Sequence, residues 1–270
     1  MQDHFGPARA LIARSPFRVG AFACSADGET LLEHDAESAF PSASVIKVPL
    51  VMTLYADAAE GRVDLGERVA VGERVDGSGV LRDLRDVESV SLRDLAMLAI
   101  GLSDNTATNR LIERVSAERV AERLTAWGCS VTALRRRMYD FEAAKGGLEN
   151  VASARELASL LVRLVKGECV DRATSDAVLA VMERCDDDRK LRRFLGPGVK
   201  VPSKSGTLDA SRNDVAVFRA PARVVVAAVF TSEVQDHLAA EHLLGIIGRC
   251  AAVAAGMTVP PLPFGDSPAR

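Results

Sequence analysis

The sequence predicts an α/β (α+β) protein with two lobes, and three features of the chain indicate this class. Valine-rich segments with the character of strands lie near both ends of the chain. Between them, apolar residues recur at spacings of three and four, which is typical of amphipathic helices. No repeat or low-complexity region interrupts this order. We therefore expect an antiparallel sheet flanked by helices from residues 1–54 and 196–270, and an inserted all-helical lobe over residues 55–195, with the functional site between them.

The first part of the chain predicts a short helix, a β-hairpin and a longer helix, over residues 6–14, 17–37 and 44–61. The hairpin turn is expected at Asp27-Gly28, a strong signal for a tight turn between strands. Pro49 falls early in the longer helix, and we expect it to strain or bend the first turns.

The middle of the chain opens with an irregular stretch, residues 62–90, and continues with helices. These are expected over residues 91–101, 105–115, 116–128, 153–166, 174–184 and 188–195. Residues 135–150 have no sustained period and predict a loop of about 15 residues, long enough to suggest a function. The last part predicts strands and one long helix, over residues 198–206, 213–220, 223–233 and 234–256. The tail, residues 257–270, is expected to be poorly ordered.

Composition excludes several classes of function. The 270 residues are 48% apolar and 26% charged with a formal net charge of −3, which gives no electrostatic case for binding nucleic acid or an anionic membrane surface. The five cysteines are scattered without CxxC spacing, so we expect free thiols and neither a zinc site nor a disulfide framework. No metal or other cofactor is expected. We expect the protein to bind a small-molecule substrate. We also expect its oligomeric state to be a monomer.

The chain has no run of about 18 uncharged apolar residues, so no membrane span is expected. Its first 20 residues lack the uninterrupted apolar stretch of a secretory signal. We therefore expect a cytoplasmic protein, or a secreted one if a leader has been removed.

The stretch PSASVIKVPL, residues 41–50, carries the first candidate for chemistry. Ser44 lies three residues before Lys47, so both side chains would share one face of a helix, and the amine could accept the serine proton. Free backbone N–H groups at the first helical turn would favour an oxyanion there. The alternative is structural, because Ser42 or Ser44 could simply cap the helix. Of the six lysines, only Lys47 has a serine three residues before it.

Two further short stretches bear on that choice. SDN, residues 103–105, lies where one predicted helix gives way to the next, and Ser103 or Asp104 could be no more than a cap. KSG, residues 204–206, lies at the end of a predicted strand, where its glycine could simply form a turn. Together and in this order, Ser-x-x-Lys, Ser-Asp-Asn and Lys-Ser/Thr-Gly form the motif set of class A β-lactamases and penicillin-binding proteins.

The chain resembles that superfamily of active-site serine hydrolases over roughly residues 17–256, including the contexts SDNTATNRLI and KSGTL…RNDVAVF. The resemblance implies the two-lobed β-lactamase-like fold. It also implies catalytic roles. Ser44 would be the acyl-accepting nucleophile, Lys47 its partner base, and Ser103 the relay of a proton to the leaving nitrogen.

The resemblance implies a set of substrate-binding residues as well. Asn105 would hydrogen-bond a substrate amide carbonyl and Lys47. Lys204 and Ser205, within the KSG stretch that Gly206 completes, would anchor the substrate carboxylate. The backbone N–H groups of Ser44 and Thr207 would form the oxyanion hole. Arg212 is similar to the arginine that some class A enzymes use as a second carboxylate contact.

The sequence departs from the class A pattern in the loop at 135–150. Class A enzymes carry a glutamate two residues after an arginine, and it positions the water that deacylates the enzyme. If Arg136 is the matching arginine, Met138 stands where that glutamate is expected. Nearby carboxylates are Asp140, Glu142 and Glu149; Glu142 is the first candidate for a displaced base, and a solvated loop acid is the alternative for each.

A second departure is the glycine-rich stretch DGSGVLRDL, residues 76–84, in place of the aromatic-bearing loop common beside class A sites. It suggests a more open entrance to the active site. The sequence therefore predicts a class A β-lactamase-related hydrolase that opens β-lactam amides through an acyl-Ser44 intermediate. The alternatives are an intracellular serine amidase or esterase, a penicillin-binding module that acylates without efficient deacylation, and a non-catalytic homologue. The intact Ser44, Lys47 and Lys204 argue against the last.

Overall fold

The computed structural model describes residues 3–262, and its elements follow the predicted order of strands, helices and strands. The strands are β1 (Arg18–Ser25), β2 (Thr30–His34), β3 (Phe40–Pro41), β4 (Arg68–Ala70), β5 (Ser89–Ser91), β6 (Val151–Ala152), β7 (Ser203–Leu208), β8 (Ser211–Ala220) and β9 (Arg223–Ser232). The helices are α1 (Gly6–Ile12), α2 (Lys47–Ala59), α3 (Leu92–Gly101), α4 (Asn105–Val115), α5 (Ala117–Ala126), α6 (Phe141–Lys145), α7 (Ala154–Lys166), α8 (Arg172–Met182) and α9 (His237–Ala255).

The central sheet joins the two ends of the chain, as predicted. Its five strands run in the order β2-β1-β9-β8-β7, and every neighbouring pair is antiparallel. β1 pairs with β9 from Arg18↔Ser232 to Ser25↔Val225. The hairpin between β1 and β2 turns at Gly28, whose φ of +98° is easily adopted only by glycine. β7, which carries the KSG stretch, lies at one edge of the sheet.

Helices cover both faces of the sheet. α1 and α9 pack on one face, where side chains such as Ala216, Phe218 and Val229 meet Leu244 and Ile247 of α9. α2 and α7 lie on the opposite face, which carries the larger apolar core. α9 is long and apolar enough to cross a membrane, but 67% of its most apolar 18-residue window is buried within the protein, which is the pattern of a core helix.

The helices between the two halves of the sheet surround α2, which contacts α3, α4, α5 and α8. Each of the six helices from α3 to α8 begins at a side chain that caps the first turn, as their sequences favour. These caps are Ser91, Asp104, Ser116, Asp140, Ser153 and Asp171. α7 contacts both α8 and the sheet, so it joins the two parts of the molecule. The lobe boundaries at 54/55 and 195/196 stay a prediction.

Some local predictions were wrong. The stretch at 62–90 contains the short pair β4–β5, and the loop at 135–150 contains α6. The strand expected from 198 begins only at Ser203. Pro49 lies in the first turn of α2, where its missing N–H costs the helix no hydrogen bond, and α2 continues to Ala59. Of the predicted disordered tail, residues 263–270 lie outside the described part of the chain.

The helix predicted over residues 188–195 is absent, and turns take its place. A buried charge cluster explains the difference. The fully buried ammonium of Lys190 lies 2.5 Å from a carboxylate oxygen of Asp187, and the Leu191 N–H donates to Asp214 Oδ2 at 3.0 Å. These long-range contacts fix the segment against β8, and local helical periodicity cannot report them.

Asp214 is fully buried, and its Oδ1 has no hydrogen-bond partner. Burial raises the pKa of this carboxyl to about 7, against the opposing attraction of Lys190. Between its ordinary pKa of 3.8 and about 7, the unfolded chain releases the proton while the folded protein keeps it. The free energy of unfolding therefore falls as pH rises through that window.

We predict that Asp214→Asn removes this loss, because an amide keeps the acceptor for Leu191 and has no charge to bury. The variant should gain stability relative to the wild type between pH 4 and pH 8, by up to about 4 kcal/mol from the size of the shift. Urea unfolding at the two pH values measures it. Asp188→Asn, at an exposed position of the same segment, is the control. An equal pH trend in both variants would contradict the account.

Candidate active site

Ser44 lies in a 3₁₀ turn, Ala43–Ile46, that leads directly into α2. Ala43 has φ +49°, a left-handed conformation that is strained for a residue with a side chain. The hydroxyl of Ser44 is half-buried and makes no hydrogen bond within residues 3–262. The turn therefore presents a free hydroxyl at the start of a helix.

The edge strand β7 lies directly against this turn, and Gly206 permits the approach. A Cβ at Gly206 would lie 2.9 Å from the Ala43 side chain, closer than real Cβ atoms come, and 3.1 Å from the Ser44 backbone nitrogen, which is also tight. Thr207, the next residue, is exposed. The backbone N–H groups of Ser44 and Thr207 thus belong to neighbouring segments in close contact, as an oxyanion hole built from both would require.

Lys47 is the first residue of α2 and is fully buried. Its Nζ lies 2.7 Å from the backbone oxygen of Ser103, 3.1 Å from Ser103 Oγ and 3.0 Å from Asn105 Oδ1. The amine is therefore fixed by the SDN stretch, 56 residues and more along the chain. Lys47 is therefore not a solvated surface lysine.

Ser103 occupies the junction between α3 and α4 with φ +54°. Its Oγ is placed between two amines, 3.1 Å from Lys47 Nζ and 3.2 Å from Lys204 Nζ. Asp104, and not Ser103, caps α4 by accepting a hydrogen bond from the Ala107 N–H. Of the two residues that the sequence left open as a cap, the structure thus leaves Ser103 free for another role.

Lys204 on β7 is also fully buried, and its Nζ donates to the backbone oxygen of Ser205 at 2.7 Å. Burial, reinforced by the positive charge of Lys204, holds the pKa of Lys47 well below its ordinary value. Burial also lowers the pKa of Lys204, although the nearby Asp214 carboxyl opposes this. A lysine with a lowered pKa offers a lone pair that can take a proton from a neighbouring hydroxyl.

Asn105, the first residue of α4, links Lys47 to the stretch at 76–84. Its Oδ1 accepts from Lys47 Nζ, and its Nδ2 donates to the backbone oxygen of Asp76 at 2.9 Å. The second hydrogen of the Nδ2 amide has no partner among the described residues. It can meet the carbonyl oxygen of a bound amide.

Asp104 holds the stretch at 76–84 onto α4. This buried carboxylate accepts from the backbone N–H groups of Val80 and Leu81 at 2.7 and 2.9 Å. A Cβ at Gly79 would collide with Asp104, which explains a glycine there. The predicted irregular stretch is therefore an ordered wall of the site.

Met138 is attached to α4 one helical turn beyond Asn105. The side-chain amide of Asn109 accepts from the Met138 N–H at 2.8 Å and donates to the Met138 oxygen at 3.2 Å. Met138 itself is buried within the apolar core. The position that the sequence analysis matches to the class A glutamate is thus fixed to α4 through Asn109 and filled by a thioether.

The three loop carboxylates are engaged elsewhere. Asp140 caps α6, and Glu149 pairs with Arg136 at 2.7 Å. Glu142 is 86% exposed and pairs with Lys145 at 2.8 Å on the same short helix. Among the described residues Glu142 makes no contact with the lysine cluster, and its role as the displaced base stays a prediction. Glu142 faces solvent because the short helix α6 turns this residue away from the protein.

Arg212 and Ser205 lie on the two paired edge strands. Arg212 Nη1 donates to the backbone oxygens of Leu208 and Ser211, and its Nε lies 3.5 Å from Glu241 Oε1 on α9. These contacts leave part of the guanidinium unused, so a second carboxylate contact stays a prediction. Ser205 is nearly buried, and its hydroxyl makes no hydrogen bond within residues 3–262.

Sequence reasoning missed the residues that support the site. These are Asp104, Asn109 and Asn213; Asn213 donates to the Pro41 oxygen at 2.8 Å and so ties β8 to the segment before Ser44. Buried amides and carboxylates inside predicted helices and strands were the available signal, because such groups need partners. Their partners lie up to 172 residues away and could not be identified from spacing.

Taken together, the site holds a free serine hydroxyl at a helix start, a buried amine three residues on, a second serine between two amines, and a cation at the sheet edge. This arrangement suits attack on an amide or ester carbonyl with proton transfer to the leaving group.

Comparison with known proteins agrees with this geometry. The model of the beta-lactamase enzyme family matches residues 8–254. A beta-lactamase of Amycolatopsis lactamdurans is 27% identical over 247 residues, which cover 88% of this chain and 81% of the relative.

Among solved structures, a beta-lactamase from Sphaerobacter thermophilus is 32% identical, with a TM-score of 0.85 over 95% of this chain and 99% of that one. A mutant of PBP-A, an acyl-enzyme complex with penicillin G, is 26% identical with a TM-score of 0.83 over 93% and 96% of the two chains. Since the family match spans most of its length, the chain belongs to the beta-lactamase enzyme family and is a β-lactamase-related serine hydrolase.

Proposed function

We propose that this protein opens β-lactam amides by acylation at Ser44 and releases the acyl group slowly. The observation that carries the proposal is the buried cluster of Lys47, Ser103 and Lys204, in which one hydroxyl lies within 3.2 Å of both amines. Family membership supports β-lactams as the substrates to consider. The acyl-enzyme of PBP-A with penicillin G supports an acyl-serine intermediate here.

In the proposed acylation, Lys47 Nζ takes the proton of the Ser44 hydroxyl, and Ser44 Oγ bonds to the lactam carbonyl carbon. The backbone N–H groups of Ser44 and Thr207 stabilise the oxyanion. As the C–N bond breaks, a proton passes from Lys47 through Ser103 Oγ to the lactam nitrogen. This leaves an ester on Ser44 and a neutral Lys47, and the proton taken from Ser44 has been transferred to the lactam nitrogen.

The substrate is proposed to carry a carboxylate. Lys204, Ser205 and Arg212 offer a cation, a free hydroxyl and a second cation at the sheet edge. An anion at this edge would offset the cost of the two buried amines, because opposite charges favour each other strongly where water is excluded.

Slow release follows from Met138. Water must add to the ester carbonyl and lose a proton to a base, and within residues 135–150 the carboxylates of Asp140, Glu142 and Glu149 are bound elsewhere. A thioether cannot accept that proton. We therefore favour a long-lived acyl-enzyme over fast turnover.

We predict that Ser44→Ala abolishes acylation, by roughly 10³-fold or more, because the bond-forming oxygen is lost while binding remains. Intact-protein mass spectrometry after mixing with benzylpenicillin measures the adduct. Ser42→Ala is the matched control, since that hydroxyl lies in the same segment and, within residues 3–262, donates a hydrogen bond only to the Ala43 oxygen. An adduct that survives in Ser44→Ala would refute the assigned nucleophile.

A second prediction concerns Met138. Met138→Glu should speed deacylation by ~10-fold or more, because it places a carboxylate at a fixed backbone position. A well-placed general base contributes about 10²–10⁴-fold, and this expected gain is the part of it that a base in an unoptimised position supplies. Met138→Gln has the same length without the basic charge and should leave deacylation slow. Decay of the acyl-enzyme mass gives both rates. Equal rates in the two variants would show that a missing base does not limit release.

A further inference from the structure

Gly77, within the stretch at 76–84, gives no side chain to the mouth of the site beside Asn105. Gly77 has φ +88°, and a Cβ there would lie 2.7 Å from Asn105 Nδ2. Any larger residue would both strain the backbone and displace the amide that is proposed to meet the substrate. At Gly77 the wall of the site is therefore formed by backbone atoms alone.

An aromatic ring from a different loop covers that bare wall. Two ring carbons of Tyr139, Cε2 and Cδ2, lie 3.1 and 3.2 Å from the position a Cβ of Gly77 would take. Tyr139 is 45% exposed, and Phe141 packs edge-on against it with ring centroids 4.7 Å apart. Two neighbouring aromatic rings thus face solvent next to Asn105. Such exposed apolar surface commonly marks a contact site.

The position of the Tyr139 ring is fixed by its surroundings. Its φ is +67°, which is unusual for a bulky residue and persists only where neighbours over-determine the backbone. On one side, Asn109 holds both backbone groups of Met138. On the other, the Phe141 N–H donates to the Tyr139 oxygen at 3.1 Å, and Asp140 caps the helix that follows. The ring is therefore held in a strained conformation at the mouth of the site.

We propose that Tyr139, supported by Phe141, determines substrate specificity by contacting an aromatic acyl side chain on the β-lactam. This inference rests on the proposed function. If the free hydrogen of Asn105 Nδ2 meets the side-chain amide carbonyl, the group attached to that carbonyl extends past Asn105. The ring beside Gly77 is the apolar surface that it then meets. Tyr139 takes the place of an aromatic residue that the stretch at 76–84 lacks.

The test compares two penicillins with the same nucleus and the same side-chain amide, one bearing a phenylacetyl group and the other an acetyl group. Acylation rate constants are measured for the wild type, Tyr139→Asn and Tyr139→Phe. Asparagine tolerates a positive φ, so Tyr139→Asn removes the ring while keeping the backbone conformation. Tyr139→Phe keeps the ring and loses only the hydroxyl.

We expect Tyr139→Asn to lower kcat/KM for acylation by ~10-fold with the phenylacetyl compound, the upper range for an aromatic pair, and by much less with the acetyl compound. Tyr139→Phe should match the wild type with both. Phe141→Ala should shift the ratio of the two substrates in the same direction, and it keeps the test available if Tyr139→Asn does not fold.

Equal losses with the two compounds, or no change with either, would overturn the inference while leaving the proposed function intact. A wild-type protein that neither compound acylates would instead refute the proposed function, and this inference with it.

Discussion

The burial of the Lys47 amine is the constraint on which the rest of the site depends. A buried lysine without partners would be strongly destabilising, so three oxygen atoms of Ser103 and Asn105 must lie within about 3 Å of it. That requirement fixes the junction between α3 and α4 against the start of α2. It also places the Ser103 hydroxyl where the second buried amine, Lys204, can reach it from the sheet.

Three of the seven non-glycine residues with positive φ among residues 3–262 lie at this cluster or at the mouth of the site. Ala43 and Ser103 take positive φ angles immediately next to the nucleophile and at the shared hydroxyl, and Tyr139 does so at the mouth. Such conformations cost about 1–3 kcal/mol each and persist where packing enforces them. Here the enforcement comes from Gly206 on β7, Asp104 on α4 and the Asn109 amide. Stability has thus been given up where geometry matters for acylation.

Local chemistry explains which features could be predicted from the sequence. The bounds of α4 were predicted because Asp104 caps it and apolar periodicity runs to Val115. The placement of Lys47, Ser103 and Lys204 in one cluster was expected only because three motifs occurred together. The helix predicted over 188–195 failed because of a contact far apart in the chain, since the turns there rest on Asp214. Glu142 faces solvent for a local reason, which is its place on the short helix α6 beside Lys145. Spacing alone does not report either.

The central claim is that burial lowers the pKa of the Lys47 amine and so prepares it to accept the Ser44 proton. Lysine side-chain NMR tests it directly, because the chain has only six lysines and Lys47→Arg would assign the signal. The account predicts that the Lys47 signal titrates well below the ordinary lysine pKa of about 10.4, because of burial and the neighbouring Lys204 charge. A Lys47 signal that titrates at the ordinary value would contradict the account.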